Sequence, residues 1–591
     1  MKKLFPIFII TSLVSLSSCG LFSAPASEEK LLEVYDLDNK SLQGENTQNL
    51  SGAKSGEVKA RFIQGKELIP YVSLKQYADF YKPHFAKNVE SVVESTAFYT
   101  SWLITIDDQP CFQAIINYLS KSVMKGGDIQ NAFDEEKDAR DLKALNYGMQ
   151  LDVDGKFLED KGYELYDYSD YNFQFFTSGG EKYFPLGFLD TTFSASSGIY
   201  FEYNYKHIYE TCDAENYSLV SFKEDDKEYT FDSQMEEAAS TYGTIPSYLA
   251  KYNADLFVYL MDNFYGLKNY NKISSMASYL KSINCFADLY NSNNAEQRGL
   301  AYSNALFSFD DNHTGLVSVN NSWGEKGYRG QPGKGVINRS LETQTLKQMR
   351  KSYYDYLGKV ENKDIIYSND GKTAMFMFDS FSFGTSKDVF NEDDSIKETA
   401  YLTDTYFSLI KVFDEIKAHG GVENVILDIS TNGGGTVGIM AKLLALISKN
   451  NEGHLYFYQA NSTQLAWYNA MVDVDNDKEY EEDETYGNDF SFYILTSNCS
   501  FSCANAFPCL AQKQGLAKII GEKSGGGECA VNIHYLPNSQ YVYHSSDMHL
   551  GFYDEETNVF TGFEGGAIPD YEIAISESFY DINFLSQTIS Q

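Results

Sequence analysis

The sequence predicts a mixed α/β chain of several domains, and three observations carry that prediction. The chain has 591 residues, which at roughly 150 residues per domain points to three or four units. Its first part alternates apolar and polar residues in short runs, as strands do, whereas a middle stretch steps by three and four, as helices do. From about Asp364 onward strands and helices take turns, the pattern of a largely parallel sheet covered by helices. Apolar residues make up 43% of the chain, enough for sizeable cores. Lys and Arg number 47 against 83 Asp and Glu, a formal net charge of −36. Such a field repels phosphate backbones, so nucleic acid is excluded as a partner. Beyond the extreme N-terminus no apolar run approaches the ~20 residues of a membrane span, which excludes a multi-pass protein.

The elements follow in order. Lys2 and Lys3 precede LFPIFIITSLVSL and then SSCG, a positive segment, an apolar run and small residues, which reads as a secretory signal over 1–18. Leu16-Ser17-Ser18-Cys19 resembles the bacterial lipobox, which implies lipid on Cys19 and an exported protein. Cys19 would anchor the body to the cell membrane or outer membrane, facing the periplasm or the exterior. Residues 19–57 are polar and charged and read as the tether. Seven cysteines remain, at 111, 212, 285, 499, 503, 509 and 529. Export permits disulfides, but an odd number leaves a thiol over. The C-x3-C-x5-C spacing of Cys499, Cys503 and Cys509 matches no strong zinc template and has no interleaved His, so no metal is expected.

Residues 58–232 read as an N-terminal α/β domain of unknown role. ARFIQGKELIPYVSL and GIYFEYNYKHIYET suggest strands, and CFQAIINYLSKSVM between them has helical spacing. Nine tyrosines fall between Tyr163 and Tyr209, as half-exposed strands would carry them. Residues 233–321 are a helical domain, with SYLAKYNADLFVYLMDNFYG and ISSMASYLKSINCFADLYN, and the pattern ends at FDDNHTG. Residues 322–363 form a basic linker. In 364–591, TAMFMFDSFSF is a strand. LTDTYFSLIKVFDEIKAHGG is a helix with Thr403 as N-cap and Gly420 or Gly421 ending it. VENVILDIS is a buried strand, NGGG a turn and TVGIMAKLLALISKN a helix. FSFYILTS is a further strand before the helical CSFSCANAFPCLAQKQ. Asp473, Asp475, Asp477, Glu479 and Glu484 occupy positions 1, 3, 5, 7 and 12 of a calcium-type loop, but Lys478 replaces the glycine at position 6. That run is read as a charged insertion, and the DLD, FDD and NEDD patches as solvated faces.

Two strand-to-helix junctions concentrate the chemistry. At Gly433-Gly434-Gly435, backbone N–H groups can approach a ligand without Cβ interference, and donors at a helix N-terminus favour developing negative charge. At Ser500-Phe501-Ser502-Cys503-Ala504-Asn505, a hydroxyl opening a helix is presented as a nucleophile. The ordered set ILDISTNGGG, ILTSNCSFSCANAF, IIGEKSGG and EGGAIPDYEI resembles the C-terminal processing and tricorn-type serine peptidase family. The resemblance covers about Asp364 to Ile575, with His313 as an upstream outpost. It implies a peptidase core of the C-terminal processing protease type acting on protein or peptide without a cofactor.

Carried over by motif, Ser502 matches the nucleophile and Ser500 is the competing hydroxyl. The Cys503 N–H and an N–H of Gly433 or Gly434 match the oxyanion donors. The branch that uses a lysine base has Gly527 at that position here, and Lys523 lies four residues earlier. The tricorn-like branch uses a His and a Glu, and FDDNHTG offers His313 while FEGGAIPD offers Glu564. An imidazole can take the hydroxyl proton and return it to the leaving amine, with Glu564 orienting it directly or through Thr314. Asn312 stands where that branch has a serine. The expected activity is that of a serine endopeptidase. The alternatives are an inactive peptide- or glycan-binding lipoprotein, and an esterase or amidase using the same hydroxyl.

Overall fold

The computed structural model describes residues 25–37, 54–134, 142–159, 162–212, 221–224, 227–291, 293–316, 321–325, 334–393, 395–482 and 484–591. The signal segment and Cys19 lie outside them.

Alternation decides the first strand. In Ser27–Asp36, Leu32 and Val34 are buried while Glu28, Glu29 and Lys30 are exposed. This strand lies inside a seven-stranded sheet, antiparallel to Lys54–Ile63 and parallel to Ile208–Thr211. The tether expected over 19–57 is therefore sheet at 27–36 and 54–57, because the buried pairs of LLEVY outweigh the polar average. CFQAIINYLSKSVM is likewise a hairpin and not a helix. Gln109–Asn117 pairs antiparallel with Ser122–Gly127. Phe112, Ala114 and Ile116 are buried on one face, a period of two that the β-branched isoleucines favour.

The middle stretch is helical as its periodicity predicts, with helices at Phe231–Tyr242, Ser247–Phe264, Met276–Ser282, Phe286–Asn291 and Ala295–Phe307. The basic linker departs from expectation, since Lys334–Leu357 is a helix of 24 residues. Its buried Arg350 donates from Nε to Glu361 at 2.8 Å and from Nη2 to Asp379 at 3.0 Å. Part of the basic excess thus pins this helix to the sheet that follows.

That sheet has six strands, in the order Ile366–Tyr367, Thr373–Met377, Asn424–Asp428, Ser491–Thr496, Ala517–Gly521 and Tyr571–Glu572. All neighbours are parallel except the first pair. Helices Thr405–His419, Val437–Leu446 and Cys503–Lys513 are the crossovers. Asp404, not Thr403, caps the first of them, accepting from the Tyr406 and Phe407 N–H groups, and Gly420 ends it with φ of 74°.

A second, antiparallel sheet is built on the long strand Gln540–Asp554, which pairs with Cys529–Leu536, Gly453–Gln459, Val559–Gly562 and Gly315–Leu316. Pairing with Gly315–Leu316 brings the FDDNHTG segment to this sheet. At the far edge Met149–Phe157 pairs with Gln464–Val472 over nine positions. Residues 58–232 are therefore not a self-contained domain, because one of their strands completes a sheet of the C-terminal half. The acidic run from Asp473 closes on itself: carboxylate oxygens of Asp473, Asp475, Asp477 and Glu484 lie within 4.8 Å of one another, and Lys478 itself adopts φ of 74°.

Candidate active site

The two junctions meet. Asn432 joins them, since its carbonyl accepts from the Phe501 N–H at 3.1 Å and its side chain donates to the Phe378 carbonyl at 3.0 Å. Its Oδ1 accepts from the Gly434 N–H at 2.8 Å. Gly434 holds φ of 108°, and a Cβ built there would stand 2.6 Å from the Ser502 Cβ and 3.0 Å from the Cys503 nitrogen. Only glycine allows that approach.

Ser502 and Ser500 are placed differently. The Ser500 hydroxyl is fully buried, donates to the Ile429 carbonyl at 2.8 Å and accepts from the Ser497 N–H at 3.1 Å. Ser502 is the half-buried residue between buried Phe501 and Cys503. Its φ of 59° and ψ of −125° are strained for a residue with a Cβ, and its side chain makes no capping bond. The Ser502 N–H donates to the Gly526 carbonyl at 3.0 Å. Cys503 opens the helix, so its N–H has no intrahelical partner. Burial pushes the Cys503 thiol up to about 12, and it donates to the Gly435 carbonyl at 3.0 Å. Held protonated, this sulfur supports the glycine turn and is no nucleophile. With the Gly434 N–H committed to Asn432, the exposed Gly433 supplies the other candidate donor.

His313 arrives from the other sheet. Its ring meets the Phe501 ring edge-on, centroids 4.7 Å apart, one residue from Ser502. The ring is buried, and its Nδ1 has no hydrogen-bond partner among the described residues. Burial holds the imidazole below its usual range, opposed by the Asp311 carboxylate and a hydrogen bond to the Cys529 backbone. Asp311 belongs to the FDD patch expected to be solvated, yet it is buried. Its carboxylate accepts from the His313 N–H at 2.8 Å, the Thr314 hydroxyl at 2.7 Å and the Ser545 hydroxyl at 2.8 Å. Thr314 also accepts from the Ser545 N–H at 3.1 Å. The hydroxyl expected as a relay to Glu564 is thus bonded to Asp311 and Ser545, and it braces the histidine loop instead.

Glu564 Oε2 accepts from the Gly527 and Glu528 N–H groups, both at 3.0 Å. In return the Glu528 carboxylate accepts from the Glu564 N–H at 2.6 Å. Burial, with Asp311 and Glu528 nearby, raises the Glu564 carboxyl to about 7. The stretch Gly526 to Cys529 therefore touches every candidate: Gly526 holds Ser502, Gly527 and Glu528 hold Glu564, and Cys529 holds His313. Asn505 adds a brace, donating to the Phe563 carbonyl at 3.0 Å and accepting from the Ser524 hydroxyl at 2.7 Å.

Lys523 is exposed. His534 and His544 are fully buried and stacked on each other, centroids 5.3 Å apart. His549 bonds Glu528 at 2.6 Å. Among the described residues, Cys111, Cys285, Cys499, Cys503, Cys509 and Cys529 are free thiols. Sequence reasoning missed Asp311, Asn505 and Glu528, each of which has at least one partner more than 30 residues away.

Residues 391–572 match the model of peptidase family S41. No curated protein matches the sequence. Among solved structures, mature CPAF is similar at 11% identity and a TM-score of 0.36, over 58% of this chain and 96% of that one. A lipoprotein from Streptococcus agalactiae is similar at 10% identity and a TM-score of 0.34, over 57% and 95%. The photosystem II D1 C-terminal processing protease shows 15% identity and a TM-score of 0.25, over 36% and 46%. Scores this low add no weight to a reading of the site.

Proposed function

We infer, from the membership of residues 391–572 in peptidase family S41, that this serine peptidase works through Ser502, His313 and Glu564. Ser502 attacks a peptide carbonyl while the His313 imidazole takes its proton. The N–H groups of Cys503 and Gly433 receive the oxyanion. The proton then passes to the leaving amine, and water releases the acyl group from Ser502 by the same route. Glu564 acts as a positioning residue, holding the Gly527–Cys529 stretch against which the imidazole is bonded. The observation that carries this reading is the His313 ring 4.7 Å from that of Phe501, with the strained Ser502 next in sequence.

A fluorophosphonate probe tests it. Labelling should vanish in Ser502→Ala and fall strongly in His313→Ala. Folded protein that never labels, or labelling that survives Ser502→Ala, overturns the assignment and favours the binding-protein alternative. Cleavage of a peptide library, set against simple esters, separates an endopeptidase from an esterase.

We also propose that Cys19 carries lipid. The support is the lipobox-like Leu16-Ser17-Ser18-Cys19. Because the first strand starts at Ser27, the span from Cys19 reaches at most about 30 Å, so the body would sit close to the bilayer. Cys19→Ser should move the protein out of the membrane fraction; an unchanged distribution overturns the anchor.

A further inference from the structure

Beside the candidate base lies a cluster that the peptidase reading leaves unused. Glu528 precedes and Cys529 opens the strand Cys529–Leu536, and His549 faces Cys529 across the sheet as its register partner. One donor atom from each residue lies within 4.8 Å of the others. The Glu528 Oε1 is 2.6 Å from the His549 Nδ1, and the Cys529 Sγ is 3.6 Å from the same nitrogen. All three side chains are largely buried, and the His549 Nε2 is buried with no hydrogen-bond partner among the described residues. Three carboxylates gather here, Glu528, Glu564 and Asp311, and among the described residues no lysine or arginine pairs with any of them.

We propose that Glu528, Cys529 and His549 form a zinc site whose occupation switches the peptidase off. One oxygen, one sulfur and one imidazole nitrogen suit a borderline-soft divalent ion, and three protein ligands leave a fourth position for water. Tetrahedral zinc places neighbouring ligand atoms about 3.3–3.6 Å apart. The sulfur–nitrogen pair already has that spacing, and the Glu528 oxygen must withdraw by less than about 1 Å. On binding, the Cys529 thiol proton leaves to solvent and its sulfur becomes a metal ligand.

The site is wired to the catalytic side. The other oxygen of Glu528 holds the Glu564 N–H, and the Cys529 backbone bonds the His313 ring. Drawing residues 528 and 529 toward an ion therefore displaces the supports of both groups. This inhibitory half rests on the assignment of His313 and Glu564, whereas the binding site itself does not.

The test uses metal-free full-length protein, zinc alone as the probe, and calorimetry alongside fluorophosphonate labelling. The expected result is one zinc equivalent lost or weakened at least tenfold in both Cys529→Ser and His549→Ala. For the wild type, the labelling rate should drop at least tenfold on saturation with zinc, and in each variant the zinc-bound and zinc-free rates should agree. No binding to the folded wild type, or binding that both variants retain, overturns the site. Zinc that binds there and leaves the wild-type rate unchanged overturns the switch but not the site. Because calorimetry needs no activity, a failed peptidase assignment shows up in labelling alone.

Discussion

The two sides of the candidate active site are built in opposite ways. The nucleophile side is local: within Ser497–Asn505 a buried hydroxyl, a strained backbone and a helix start follow one another in nine residues. The base side has no local logic, because His313, Asp311, Glu528, Ser545 and Glu564 come from segments spread over some 250 residues. Strand pairing alone brings those segments together, through Gly315–Leu316 and Cys529–Leu536 on either side of Gln540–Asp554. A local junction is protected by its own turn, and an assembled one is only as firm as the sheet beneath it.

Four measurements test that contrast. Gly434→Ala should do most damage, since its Cβ would strike Ser502 at 2.6 Å and its φ is 108°. A loss of about 10³-fold in kcat/KM is expected for a misplaced nucleophile and oxyanion donor. A rate within threefold of wild type would show the junction to be more forgiving than its geometry.

Acid should attack the assembled side next. Burial lowers the His544 imidazole to about 4, against an unfolded value of about 6.5. Below pH 6.5 the unfolded chain binds a proton that the folded chain refuses. Stability is thus fully present above pH 6.5 and falls as pH drops toward 4, by about 3 kcal/mol from this group. Urea unfolding of wild type against His544→Phe across that range isolates this group, since a raised carboxyl such as Glu564 shifts the total the opposite way, and a difference that does not vary with pH contradicts the burial of the His534–His544 pair.

Glu564→Gln should cost about 10²-fold in kcat/KM, since an orienting group acts through another residue. KM should hold nearly constant, because Glu564 is not placed on substrate. Ser500→Ala is the smallest effect and the sharpest control. It leaves the Ser497 N–H without its partner and removes one of the two donors to the Ile429 carbonyl, at about 1–2 kcal/mol of stability, while probe labelling at Ser502 persists.

The same division decides what the sequence could reveal. The parallel core, its crossover helices and the Ser502 junction were legible, because hydrophobic period and glycine position are local signals. The hairpin within 109–127 was misread because Ile115 and Ile116 adjoin, and one register break makes a period of two look like three or four. Asp311 read as a solvated acid because its neighbour Asp310 is exposed and, the His313 N–H and Thr314 hydroxyl apart, its partner Ser545 is remote. Glu528 carried no signal at all. Its meaning lies in His549 and Glu564, which only the fold brings within reach.

The pairing of Met149–Phe157 with Gln464–Val472 governs how the protein can be made and cut. During synthesis the earlier strand must wait some 300 residues for its mate, so this edge closes late and slowly. A fragment starting near Asp364 would emerge with a nine-residue ladder of open amides and carbonyls, ready to recruit a neighbour. Trimming the protein to its peptidase segment should therefore give aggregates where a smaller soluble enzyme was sought, unless residues 149–157 are supplied in trans.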